Sequence, residues 1–197
     1  MKLLNRSEVQ RALSMCEAIE VIKRAFVELS TGNAKSPLRT SVALPNHDGL
    51  TLFMPACLGE SDALAIKIAS IHHRNPERGL PRIHAVALAI DPATGKPLAV
   101  MEGGYLTALR TGAASGAATD LLARADAETA AVIGAGRQAR TQLLAVAAVR
   151  PIQRCRVFSR RRESAETMIA ELQPQLASIE LRVADSPTEA VRDADVI

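Results

Sequence analysis

The sequence predicts an α/β protein in two parts: an α+β region with a mostly antiparallel sheet, then a doubly wound parallel sheet. Three observations carry this. Short β-prone runs separated by turn clusters fill residues 33–104. From residue 126 onward strand and helix alternate, the pattern of a parallel sheet covered by helices. A glycine-rich loop joins the first strand and helix of that alternation. The 197 residues are enough for two small domains, and the change of texture divides them into 1–125 and 126–197.

Taken in order, Ser14 and Glu17 form a capping box, and Ile19, Ile22, Phe26 and Leu29 recur at helical spacing before Gly32, which predicts a helix over 15–31. Strands are expected at 40–44, 50–54, 63–70, 82–90 and 97–102. Turn clusters such as Pro45-Asn46-His47-Asp48-Gly49 and Asp91-Pro92-Ala93-Thr94-Gly95-Lys96-Pro97 separate them. Residues 106–124 are rich in Ala, with Gly112 and Gly116 four apart, so that a helix there can lie close against another backbone. The alternation then runs strand 130–133, helix 137–149, strand 155–159, helix 162–172, strand 179–183 and helix 186–193. Asp195-Val196-Ile197 reads as the opening of a fourth parallel strand. An apolar sheet edge left open there is unusual, so the chain is expected to be the N-terminal part of a longer protein with its parallel sheet truncated.

Composition excludes several classes of function. Hydrophobic residues at 48% and charged residues at 23% describe an ordinary globular chain. Lys plus Arg is 24 and Asp plus Glu is 21, and a net charge of +3 with one Tyr, three Phe and no Trp makes nucleic acid an unexpected partner. No apolar run approaches the ~18 residues of a membrane span. Asn5, Arg6, Glu8 and Arg11 occupy the place of a signal-peptide core. The expected location is the cytoplasm, without membrane attachment. Cys16, Cys57 and Cys155 fit reduced thiols. His72-His73 and His84 lack the spacing of metal ligands, so no metal is expected.

The sharpest motif is Gly134-Ala135-Gly136-Arg137-Gln138-Ala139, a G-x-G-x-x-A between a predicted strand and a predicted helix. The first glycine permits the tight turn, the second lets the backbone approach a pyrophosphate, and Ala139 keeps helix and strand close. Free N–H groups at the helix start then face the phosphates. Gly134, Gly136, Arg137 and Gln138 are thus candidate cofactor-binding residues for a nicotinamide dinucleotide in a Rossmann-type domain. An NAD-specific site places a carboxylate at the end of the second strand, to hold the ribose 2′-OH. Here that end reads Phe158-Ser159-Arg160-Arg161-Arg162. A hydroxyl and guanidinium groups suit a 2′-phosphate, so NADP is the preferred cofactor, with NAD possible, and Ser159 and Arg160 join the candidates.

In the strand-rich half, Lys67 interrupts the apolar run Ala65-Ile66-Lys67-Ile68, where a buried ammonium needs an anion or dipole partner. Arg39 and Arg110 are further cationic candidates. With Phe53-Met54-Pro55-Ala56, Asn75-Pro76-Glu77-Arg78-Gly79-Leu80-Pro81, Pro97-Leu98-Ala99-Val100-Met101-Glu102-Gly103, Leu106-Thr107-Ala108-Leu109-Arg110-Thr111 and the glycine loop, these residues resemble the ornithine cyclodeaminase/mu-crystallin family over essentially the whole chain. That family includes archaeal-type alanine dehydrogenase and cyclic imine reductases. The resemblance implies a substrate-binding and dimerisation domain first and a Rossmann domain second, with the active site in the cleft between them and a homodimer as the assembly. It places Arg39, Lys67 and Arg110 around the carboxylate of an amino or imino acid, makes Lys67 the catalytic residue that exchanges a proton, and sets Thr111 beside the cofactor phosphates.

The expected activity is hydride transfer at a C–N bond of an amino or cyclic imino acid, by an imine reductase or amino-acid dehydrogenase. The alternatives are an ornithine cyclodeaminase forming proline and ammonia, and a non-catalytic NADP-binding protein. The cyclodeaminases of the family use an Asp that lies further along the chain than Ile197.

Overall fold

The computed structural model describes residues 1–197, which form two compact units: Met1–Ser14 with Lys23–Thr107, and Met15–Ile22 with Ala108–Ile197. The dividing line in the main chain falls at Thr107, earlier than the change of sequence texture at 125. The segment Met15–Ile22 belongs with the second unit because Ile19 packs at Gly116. A Cβ on that glycine would lie 2.6 Å from the Ile19 Cδ1.

The first unit is built on a seven-stranded sheet with strands β1 (Lys2–Leu4), β2 (Ala34–Lys35), β3 (Thr40–Leu44), β4 (Gly49–Leu58), β5 (Ala63–His72), β6 (Ile83–Ile90) and β7 (Pro97–Glu102). The order is β1-β7-β6-β5-β4-β2, with β3 also on β4, and every pairing is antiparallel except β1 with β7. Consecutive strands joined by short turns pair with their neighbours, as the spacing of the β-prone runs implies. Three elements of this unit lie outside the sequence expectation: β1, β2, and helix α1 (Arg6–Ala12), whose Asn5 side chain accepts from Glu8 N while Glu8 accepts from Asn5 N.

Helix α2 (Met15–Ser30) begins in the second unit and ends in the first. Its expected apolar stripe is corrected by the structure. Ile19 is buried, but Phe26 and Leu29 are half-exposed and Glu28 faces inward at 3% exposure. The Glu28 carboxylate accepts from Glu60 N at 3.0 Å and from the Ser61 hydroxyl, so a polar anchor to the β4–β5 turn sets the rotation of that end of the helix. Those hydrogen bonds, that from Ser61 above all, hold its carboxyl below the usual range.

The second unit contains most of α3 (Gly103–Leu122) and a parallel sheet of β8 (Thr129–Ile133), β9 (Arg154–Phe158) and β10 (Glu180–Val183) with helices α4 (Arg137–Val149), α5 (Arg162–Leu172) and α6 (Pro187–Val191). Its core joins Leu143 of α4, Cys155 and Val157 of β9, and Met168 and Leu172 of α5. Burial pushes the Cys155 thiol up to about 12, which makes it an inert packing group. The order β10-β9-β8 is continued by a parallel bridge between Ala130 and Val196 on the other side of β8. Asp195 fixes that segment, accepting from Glu128 N at 3.0 Å and Thr129 N at 2.9 Å and pairing with Arg124.

Candidate functional site

The bridge to Val196 makes β8 the strand at which the order of the parallel sheet reverses. In open α/β sheets the crevice beyond the C-terminal end of such a strand is where ligands bind. The glycine loop leaves β8 at that end. Gly134 adopts φ +108°, a backbone conformation that side chains with a Cβ rarely tolerate, and Gly136 caps α4 with no side-chain hydrogen bond. Space around both glycines is open, for nothing lies within 4 Å of where a Cβ would stand. A ligand phosphate can therefore approach the main chain and the first N–H groups of α4, and no acidic residue occupies that first turn.

The loop is held from behind. Gly134 N donates to Phe158 O at 2.7 Å, tying the ends of β8 and β9 together. Arg140 donates to Ala135 O at 2.9 Å and Gly136 O at 3.0 Å, and its guanidinium pairs with Glu171 at 2.5 Å. This arginine was not among the candidates. Its position four residues after Gly136, one helical turn into α4, is the signal that identifies it. Gly112 sets a second support: a Cβ there would stand 2.4 Å from Thr141 O, so α3 and α4 touch backbone to backbone beside the loop.

A cavity of about 750 Å³ opens between the loop and the end of β9, and Gly134, Gly136, Ser159, Arg160, Arg161 and Ser164 are among its lining residues. It brings together both glycines and both candidates from the second strand. It also adds Arg161, which belongs to the run already noted, and Ser164. Arg162 points elsewhere, engaged by Asp185 and by Glu166 at 3.0 Å. No carboxylate lines this cavity. Gln138 lines a separate, mostly apolar cavity of about 450 Å³ on the other flank of the loop, with Ser115, Thr119 and Val196. Arg137 is exposed on the first turn of α4, and Thr111 is half-buried on α3 next to Gly112.

The cationic set is distributed over both units. Lys67 sits mid-strand in β5, half-buried, opposite Met54 on one side and Ala87 on the other. Arg39 is exposed and immediately precedes Thr40, which pairs with Phe53, so in register it adjoins the row of Met54 and Lys67. Arg110 is exposed on the part of α3 that belongs to the second unit.

The ornithine cyclodeaminase/mu-crystallin family model matches residues 1–197, the whole chain. The chain belongs to this family. It is similar to a Delta(1)-pyrroline-2-carboxylate reductase of Bacillus cereus, 35% identical over all 197 residues, and covers 60% of that protein. Among solved structures it resembles the Delta(1)-pyrroline-2-carboxylate reductase of Thermococcus litoralis in complex with NADH and L-proline. There the TM-score is 0.91 and the identity 46%, over 100% of this chain and 61% of that one. An archaeal alanine dehydrogenase dimer with bound NAD is 33% identical with a TM-score of 0.84, over 93% of this chain and 56% of that one. The chain thus spans about 60% of the length of the family members it matches.

Proposed function

We propose that the protein is an NADP-dependent imine reductase that reduces a cyclic imino acid of the Δ1-pyrroline-2-carboxylate type to the corresponding amino acid. The observation that carries this reading is the cavity in which the Gly134–Gly136 backbone faces Ser159, Arg160 and Arg161 without a carboxylate. The glycines hold the pyrophosphate, and the hydroxyl and guanidinium groups take the 2′-phosphate. The related Thermococcus litoralis structure carries NADH, so the choice of NADP rests on the residues of this chain alone. When bound, the dinucleotide supplies a hydride from nicotinamide C4 to the imine carbon.

In this reading Arg39, Lys67 and Arg110 hold the substrate carboxylate, and Lys67 gives the proton that the ring nitrogen takes up as the C=N bond becomes CH–NH. Arg137 and Gln138 on the first turn of α4, and Thr111 on α3, support the cofactor phosphates. Beside Lys67 the same face of the sheet carries Met54, Ala56, Ala87 and Met101. The opposite face, with Phe53, Ile66, Ile68, Val86 and Leu88, stays half-exposed, and a second copy of the chain is the cover that a homodimer would supply. Three free thiols are consistent with work in the cytoplasm.

The test follows the absorbance of NADPH in the complete gene product given Δ1-pyrroline-2-carboxylate. Oxidation of one NADPH for each imine reduced to proline is expected. Arg110→Ala lowers kcat/KM by on the order of 100-fold with cofactor affinity retained. Conversion of ornithine to proline and ammonia with no net NADPH consumption would overturn the reading.

A further inference from the structure

The dinucleotide cavity leaves the Asn75-Pro76-Glu77-Arg78-Gly79-Leu80-Pro81 run unused. In the first unit it forms a 3-10 turn over Asn75–Arg78 that ends at Gly79 with φ +69°, and Asn75 Nδ2 braces it on Pro81 O at 2.9 Å. A second such turn, Pro45–His47, is tied to the end of β5, where His73 N donates to Asp48 O at 3.2 Å. The two turns and the adjoining ends of β5 and β6 enclose a cavity of about 340 Å³ whose lining includes His47, Ser70, His72, Arg74, Arg78 and His84.

This lining is cationic and rich in donors. Two guanidiniums, three imidazoles, the Asn46 and Asn75 side chains and the Ser70 hydroxyl face it, and no carboxylate does. Glu77, outside the lining, reaches Arg74 at 3.5 Å, with both side chains about two-thirds exposed. The His72 ring is seated on the main chain of β4, since a Cβ on Gly49 would meet its Cε1 at 2.7 Å. The Ser70 hydroxyl is held 2.9 Å from Thr51 Oγ1. The imidazoles do not converge as a metal-ligand set. Ser70 and His72 alternate with Lys67 along β5 and so occupy the opposite face of the sheet, at its end beside the two turns, where a homodimer closed over Phe53, Ile68 and Val86 would border the cavity.

We propose that this cavity binds a small phosphate-bearing dianion, at a site separate from the dinucleotide cavity and beyond the reductase reading. Two planar guanidiniums on one braced turn match the paired oxygens of a phosphate, and the imidazoles and amides supply the remaining donors. A carboxylate offers two oxygens to this donor set, whereas a phosphate offers three or more.

The test observes the imidazole signals of His47, His72 and His84 by NMR in histidine-labelled protein, with pyrophosphate, inorganic phosphate and citrate as probes at constant ionic strength. This readout is local to the cavity and independent of whether the glycine loop binds NADPH. Saturable shifts with pyrophosphate and phosphate are expected, weakened about tenfold or more in Arg78→Gln, with His84→Gln as the second variant should the first not fold. Citrate saturating at the same concentration as pyrophosphate would overturn the phosphate assignment. Shifts that never saturate would overturn the site.

Discussion

Replacing Gly112 by Ala tests whether the contact between α3 and α4 fixes the glycine loop. The new methyl carbon would stand 2.4 Å from Thr141 O and 2.7 Å from its carbonyl carbon. Ordinary contact needs about 3.5 Å, so the two backbones must separate by about 1 Å. A main-chain oxygen inside a helix has no rotamer to adopt, so the upper end of the overpacking range applies, about 3 kcal/mol. Alanine returns about 1 kcal/mol of helix propensity, leaving a net loss of about 2 kcal/mol. Gly116→Ala is the internal control. There the methyl meets the end of the Ile19 side chain at 2.6 Å, which can shift, and Ala145 Cβ at 3.1 Å, where relief needs only a few tenths of an ångström, and the loss is smaller. Urea unfolding of both variants measures this: the midpoint falls further for Gly112→Ala, with an unchanged slope. A displaced α4 also misplaces the loop, so NADPH binding weakens several-fold in that variant. An unchanged midpoint, or a larger loss at Gly116, would refute the reasoning.

Two further outcomes follow from the second unit. The Arg150 side chain is 8% exposed and its guanidinium donates to Thr119 O, Asp120 O, Ala123 O and Arg124 O at 2.7–2.9 Å and to Asp120 Oδ1 at 3.0 Å, closing the C-terminal end of α3. Arg150→Met strands those carbonyls and costs about 3 kcal/mol, and Arg150→Lys recovers less than half because an ammonium has three donors, as chemical denaturation will show. Asp195 has its pKa lowered by the Thr129 and Glu128 N–H groups and by Arg124. Its contribution is therefore complete above the ordinary value of about 3.9 and is lost as pH falls through the lower folded value. Asp195→Asn flattens the acid side of the stability profile, and an unchanged profile would show that the segment is held by other groups.

The parallel half was legible because each of its signals is local. Helices 137–149 and 162–172 were bounded correctly from their periodicity, and the glycine loop declared itself by its neighbours in sequence. Strands β3 and β7 were likewise readable from turn chemistry. What escaped depends on distant partners. Strand β1 exists through a parallel pairing with β7 almost a hundred residues away. Strand β4 runs on through Pro55 to Leu58, where a proline normally ends a strand. That residue falls between the stretches of β4 covered by β3 and by β2, on an edge where a missing N–H is tolerated. Glu28 is buried because the β4–β5 turn supplies donors, which no helical pattern announces. In the site, Ser159 and Arg160 were visible as residues at a strand end, whereas the bracing of the loop by Arg140 requires the loop's shape.

The most direct measurement titrates NADPH and NADH into this chain and into its Arg160→Ala and Arg161→Ala variants, reading nicotinamide fluorescence. Charged hydrogen bonds of ~1.5 to 3 kcal/mol each predict NADPH binding at least about tenfold tighter than NADH, with the preference reduced in either variant. Equal affinities in the unaltered chain, or a preference that both variants keep, would contradict the assignment of this cavity to the 2′-phosphate of NADP.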